Sequence, residues 1–148
     1  MRLLFFILFV PSVLVSLAAC DQEETPAISI ENAWIREAPP NASAMAGYMR
    51  IVNHTEQDNS LIAASSSAFK VIEFHRSVEK DGMYKMIRHK KLDIPGNQSL
   101  ELKPGDYHLM LIVPKQALQE GDTVSVELNF ADQSNVVVEM PVKKAVYN

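Results

Sequence analysis

The sequence predicts an all-β domain, a Greek-key barrel or sandwich of about nine short strands. Three observations carry that reading. Apolar and polar residues alternate at period two along most of the chain, turn-forming clusters separate the alternating runs, and no segment sustains a 3.6-residue period. The first strand is Ile28–Trp34, closed by Pro39-Pro40-Asn41, and the second is Gly47–Asn53, closed by Asn53-His54-Thr55. Leu61–Ser65 and Val71–Arg76 follow, and the turn signal Asp81-Gly82 precedes Met83–Arg88 in a Met-rich hairpin. Pro95-Gly96-Asn97 precedes Ser99–Leu102, and Pro104-Gly105-Asp106 precedes Tyr107–Val113. Lys115–Gln119 has room for one short helical turn before Glu120-Gly121-Asp122. Val124–Phe130 and Val136–Val142 complete the set.

The chain has 148 residues and a formal net charge of -4, with one cysteine and seven methionines. That length suits one domain. The acidic balance disfavours a nucleic-acid partner, because phosphate binding needs clustered Lys and Arg. A lone Cys can form neither an internal disulfide nor a multi-thiolate zinc site.

Residues 1–19 read as a secretory signal rather than as fold. Met1-Arg2 gives a positive start, Leu3 to Val10 an apolar centre, and Pro11-Ser12 a break that makes the run too short to span a bilayer. Leu17-Ala18-Ala19-Cys20 resembles a bacterial lipobox, in which the Cys20 thiol is acylated and the chain is cut before it. Removing this segment, with Arg2, leaves 129 residues carrying 13 basic and 18 acidic side chains, a net charge of -5. Residues 20–27 form the lipidated Cys and a polar tether, and Asp21 resembles an inner-membrane retention residue. The expected product is a domain over residues 28–142 with a tail over 143–148, held on the bacterial envelope by a lipid and facing the periplasm. Lipidation consumes the only thiol. Asn41, Asn53 and Asn97 each begin an Asn-Xaa-Ser/Thr triplet, read here as turn chemistry.

The distinctive chemistry is imidazole and thioether. His75, Met86, His108 and Met110 each lie out of phase with the best aliphatic positions of their own strands. Tyr107, Leu109, Leu111 and Val113 share one face, so His108 and Met110 share the other; Ile72 and Phe74 oppose His75 in the same way. Core packing gives no reason for that phase. Two imidazoles and two thioethers would suit Cu(I), since thioethers are soft, neutral donors that hold Zn(II), Mg(II) or Ca(II) poorly. Methionine also avoids the disulfide formation that thiols undergo outside the cytoplasm. A Met on a strand is more often core filler, and Met45, Met49 and Met140 are read that way. His54, in a turn, and His89, in a basic run, are read as solvated, while Met83 is an auxiliary candidate beside Met86.

The spacing narrows these readings. His75, ten residues, Met86, twenty-one residues, His108, one residue, Met110 resembles the signature of the periplasmic PCu(A)C copper chaperone family. The resemblance extends to Glu31-Asn32-Ala33-Trp34-Ile35-Arg36 with Pro39-Pro40, and to Leu102-Lys103-Pro104-Gly105-Asp106-Tyr107-His108-Leu109-Met110-Leu111. It also takes in Leu118 to Val124 and Met140-Pro141-Val142. The family implies a cupredoxin-like β-barrel and one Cu(I) per domain on His75, Met86, His108 and Met110, with Cu(II) as an additional form to consider. It further implies delivery to the CuA-bearing subunit of cytochrome c oxidase, directly or with a Sco-type partner. The chain departs from the family at Ser77, where many members have Met, and at Tyr84-Lys85, where many have a Met-Xaa pair adjoining the second ligand. It ends without the His- and Met-rich tail that some members use for a second copper. No enzyme is expected: a Gly-Xaa-Ser-Xaa-Gly nucleophile elbow is absent from the sequence. A blue-copper electron carrier would need a Cys thiolate beside two His. Copper buffering without a client and a metal-free β-sandwich interaction module are the rival functions.

Overall fold

A computed structural model describes residues 25–144. Ten strands follow one another: β1 Ile28–Arg36, β2 Ala44–Asn53, β3 Asn59–Ser65, β4 Phe69–Lys80 and β5 Met83–His89, then β6 Leu92–Ile94, β7 Ser99–Leu102, β8 Tyr107–Pro114, β9 Thr123–Phe130 and β10 Asn135–Lys143. Hydrogen-bonded neighbours run β5-β4-β8-β2-β1-β10-β9-β3-β6, with β7 also on β2. The β1–β10 pairing is parallel and joins the two halves of a cupredoxin-like β-sandwich through Ile35↔Val142 and Arg36↔Lys143. The signal, the lipobox Cys20 and the end of the tail lie outside the described residues. Among the described residues no helix is long and apolar enough to cross a membrane.

One side chain in two points inward along most strands, and the apolar sets meet between the sheets. Ile35, Ile51, Leu61, Ile94, Leu109, Leu111, Val126, Leu128 and Met140 are wholly buried there. Met45 and Met49 join Met140 in that core, as packing residues. Burial of such aliphatic side chains contributes about 1.5–3 kcal/mol each, which makes this interior the main stabilising element.

Two details differ from the sequence expectation. The short strand β6 was not anticipated: Leu92 and Ile94 are buried about an exposed Asp93, a run too brief to register as a period. Lys115 and Gln116 form a bend and Ala117, Leu118 and Gln119 an irregular stretch, rather than a helical turn. Donors of this segment are taken elsewhere, with Lys115 N–H bonding the Ala68 carbonyl at 2.9 Å and Gln119 N–H bonding an Asp122 carboxylate oxygen at 2.8 Å.

The turn residues explain how the strands are aimed. Asp81 and Gly82 both have positive φ, 56° and 73°, the backbone that a two-residue type I′ hairpin requires. Asn41 and Asn97 are left-handed as well, at 63° and 56°. Asn53 instead organises a loop from its interior. Its amide donates to the Gln57 carbonyl at 2.7 Å and the Ile94 carbonyl at 3.2 Å, while Oδ1 accepts the Thr55 N–H at 3.0 Å.

Candidate metal centre

Strands β4, β8 and β2 lie side by side, and their registers place the chemistry. His75 on β4 pairs directly with His108 on β8, so the two imidazoles project from the same face. Their ring centroids are 6.0 Å apart. Met110 follows His108 on that face, opposite Glu73 on β4 and Ala46 on β2. Met86 on β5 pairs with Ser77 on β4, one step along the same face from His75. Met86, His108 and Met110 then line a single cleft of about 250 Å³, walled also by Arg36 at the end of β1 and by Glu37 to Pro39 after it. His75 adjoins that cleft through its ring contact with His108.

Burial grades outward across this group. His108 is buried, Met110 and His75 are half-buried, and Met86 is 57% exposed. The group therefore has a deep imidazole at one side and an exposed thioether at the other.

Hydrogen bonds decide which nitrogens are available. The His108 Nδ1–H donates to the Asp106 carbonyl at 3.0 Å, which leaves the lone pair of the neutral ring on Nε2. That carbonyl also accepts the Ser77 N–H at 3.2 Å. The Asp106 carboxylate accepts from Arg76 Nε–H at 2.7 Å, and this hydrogen bond, with the carboxylate's charge, holds the Arg76 guanidinium above its ordinary pKa. His75 is held at its other nitrogen: Nε2–H donates to Glu73 Oε2 at 2.9 Å. Its Nδ1 is buried and has no hydrogen-bond partner. An unsatisfied buried ring nitrogen costs about 1–3 kcal/mol, and a bound metal would relieve that cost.

Behind His108 runs a stack that sequence reasoning missed. Tyr48 lies 6.5 Å from the His108 ring, Trp34 packs on Tyr48 at 4.8 Å, and the Arg36 guanidinium sits 5.3 Å from the Tyr48 ring centre. The signal was present in phase: Tyr48 alternates with the core residues Met49 and Ile51, as His108 does with Leu109. Two other assignments change. Met83 takes the opposite face of β5 from Met86, opposite Lys80 at the hairpin end, and is not brought to the cleft. His89 is half-buried rather than solvated, its ring edge against Tyr107 at 5.2 Å, because it faces the other side of β5 from Arg88. His54 is exposed and bonded to Ser29 Oγ at 2.8 Å.

Among the described residues no three His, Cys, Asp or Glu side chains gather as a metal-binding group. A metal in this cleft therefore depends on the thioethers. Two imidazole nitrogens and two thioether sulfurs form a soft, neutral set.

The model of a family described as "Putative lipoprotein LpqE-like" matches residues 28–142. The chain belongs to the LpqE-like family. A Leifsonia xyli subsp. xyli relative named "Putative lipoprotein Lxx21020" is 31% identical over 122 residues, covering 82% of this chain and 72% of its own length. A Rickettsia prowazekii protein is 32% identical over 104 residues, and the match covers 68% of this chain and 56% of the Rickettsia protein. Among solved structures, this LpqE-like chain is similar to the copper-bound PCuAC domain from PmoF2, with TM-score 0.70 and 22% identity over 81% of this chain and 95% of that one. It is also similar to the Cu(I) form of DR1885 from Deinococcus radiodurans, with TM-score 0.67 and 27% identity over 82% and 81% of the two chains.

Proposed function

We propose that this chain is an extracytoplasmic Cu(I) metallochaperone that takes one copper ion on His75, Met86, His108 and Met110 and passes it on by ligand exchange. The observation that carries the reading is the cross-strand pair His75–His108, with a buried, unpartnered Nδ1 on His75, beside a cleft lined by Met86 and Met110. Copper is cargo here rather than a resident cofactor. Neutral donors bind it without a net ionic penalty for release, and the exposed Met86 is the ligand an acceptor would displace first. The Cu(I) form of the Deinococcus relative supports the choice of ion. The lipobox at Cys20 and the lipoprotein name of the Leifsonia relative support a lipid anchor on the bacterial envelope, and Asp21 favours the inner membrane. The client is the CuA-bearing oxidase subunit or a Sco-type protein. No catalytic role is assigned to any residue, and Cu(II) is taken up as a secondary form.

Anaerobic Cu(I) titration of the mature chain against a competing chelator tests the site. The expected result is one ion per chain, with Met86→Ala, His108→Ala and Met110→Ala each weakening binding. Unchanged affinity in all three variants would contradict it. Delivery is tested separately, by mixing copper-loaded chain with an apo CuA domain or an apo Sco protein. Metal transfer supports chaperoning, whereas retention of copper against both acceptors supports buffering.

A further inference from the structure

Glu73 lies two residues before His75 on β4 and shares its face. One of its carboxylate oxygens accepts the His75 Nε2–H at 2.9 Å, and the other pairs with Arg88 Nη2 at 3.1 Å. The side chains of His75 and Glu73 are only 13% and 19% exposed, so water competes weakly for this contact. Arg88 is on β5, two residues beyond Met86 on the same face. A single carboxylate thus touches the ring of one proposed ligand and the strand that carries another.

We infer that Glu73 is a positioning residue for the metal site: it fixes the proton of His75 on Nε2, presents Nδ1 to the metal, and ties β5 to that ring through Arg88. The inference rests on the Cu(I) reading above. A carboxylate behind a ligating imidazole holds ring orientation and tautomer and strengthens the donor nitrogen. His108 is held the opposite way, through Nδ1–H on the Asp106 carbonyl. The two rings therefore meet the metal through different nitrogens, Nδ1 of His75 and Nε2 of His108. That asymmetry follows from the strand pairing. The two directly opposed rings lie side by side on neighbouring strands, and each is turned by its own anchor.

The test uses the isotope-labelled mature chain loaded with Ag(I), a closed-shell stand-in for Cu(I) whose scalar couplings to nitrogen identify the ligating atom. Wild type is expected to couple through His75 Nδ1 and His108 Nε2. Glu73→Ala is expected to weaken Cu(I) binding about 10–100-fold in chelator competition and to lose or divide the His75 Nδ1 coupling. Glu73→Gln retains a side-chain carbonyl that accepts from Nε2–H, so it should keep the Nδ1 coupling and recover most of the affinity. A merely structural role for Glu73 would shift the unfolding midpoint without moving the coupling. Coupling through His75 Nε2 in wild type, or unchanged affinity in Glu73→Ala, would overturn the inference. If wild type binds neither ion, the copper reading itself falls; if Met110→Ala weakens binding while Glu73→Ala does not, only the role of Glu73 falls.

Discussion

His108 and Met86 make opposite demands on the same site. His108 is 6% exposed, contacts the rings of His75 and Tyr48, and donates to the Asp106 carbonyl. Its truncation should cost the fold as well as the metal: we expect His108→Ala to lower stability by about 1–3 kcal/mol in urea unfolding of the copper-free chain. Met86 packs against little, so Met86→Ala should stay within about 0.5 kcal/mol of wild type in the same measurement while weakening Cu(I) binding. A comparable stability loss in both variants would contradict this division. The phase of His75, His108 and Met110 against their aliphatic neighbours was legible because alternation is a local property. What alternation could not reveal is which residues face one another across strands. The direct pairing of His75 with His108, the anchoring of each ring and the Tyr48–Trp34 stack all depend on register, which is set by long-range packing.

The β4–β5 hairpin carries the exposed Met86, a proposed ligand, and its two-residue turn holds the register that keeps Met86 on the face of His75. Gly82, at φ 73°, is suited to that turn, and a Cβ there would be strained although it would meet no neighbouring atom. Gly82→Ala should cost about 1 kcal/mol and weaken Cu(I) binding through lost order at Met86, as read by unfolding and chelator competition. Hydrogen exchange at β5 amides should rise in parallel. Asp81-Gly82 was readable as a hairpin because its chemistry is contained in two adjacent residues. β6 and the irregular segment at Lys115–Gln119 were not, since both are decided by partners distant in sequence, β3 and Ala68. The β3–β6 pairing also carries a pH dependence. Hydrogen bonds from Lys91 and Ser60 hold the Asp93 carboxyl below its usual pKa. A depressed folded-state pKa adds stability above the unfolded value and loses it as pH falls through the folded value. Asp93→Asn should therefore flatten the acid limb of the stability curve below about pH 5, and an unaltered limb would contradict this contact.

Across the whole molecule, β8 joins the two functions of the fold. Leu109 and Leu111 are fully buried between the sheets, while His108 and Met110 on the same strand build the cleft. Leu109→Ala should cost about 2–5 kcal/mol by denaturant unfolding, and it should perturb the site because the residues on either side of it carry the donors. The sandwich thus provides the plane, and the residues that face away from its core are the proposed soft ligands. All-β architecture was legible because alternation and turn clusters recur along most of the chain. The joining of its halves through the parallel β1–β10 pair was not, since parallel neighbours leave no mark in local sequence. On the proposed function, this surface holds one Cu(I) on two imidazoles and two thioethers. Copper-edge X-ray absorption of the anaerobically loaded mature chain reads that ligand set. The predicted first shell contains two nitrogen and two sulfur scatterers, with one sulfur lost in Met86→Ala and in Met110→Ala; a shell of nitrogen and oxygen alone would contradict it.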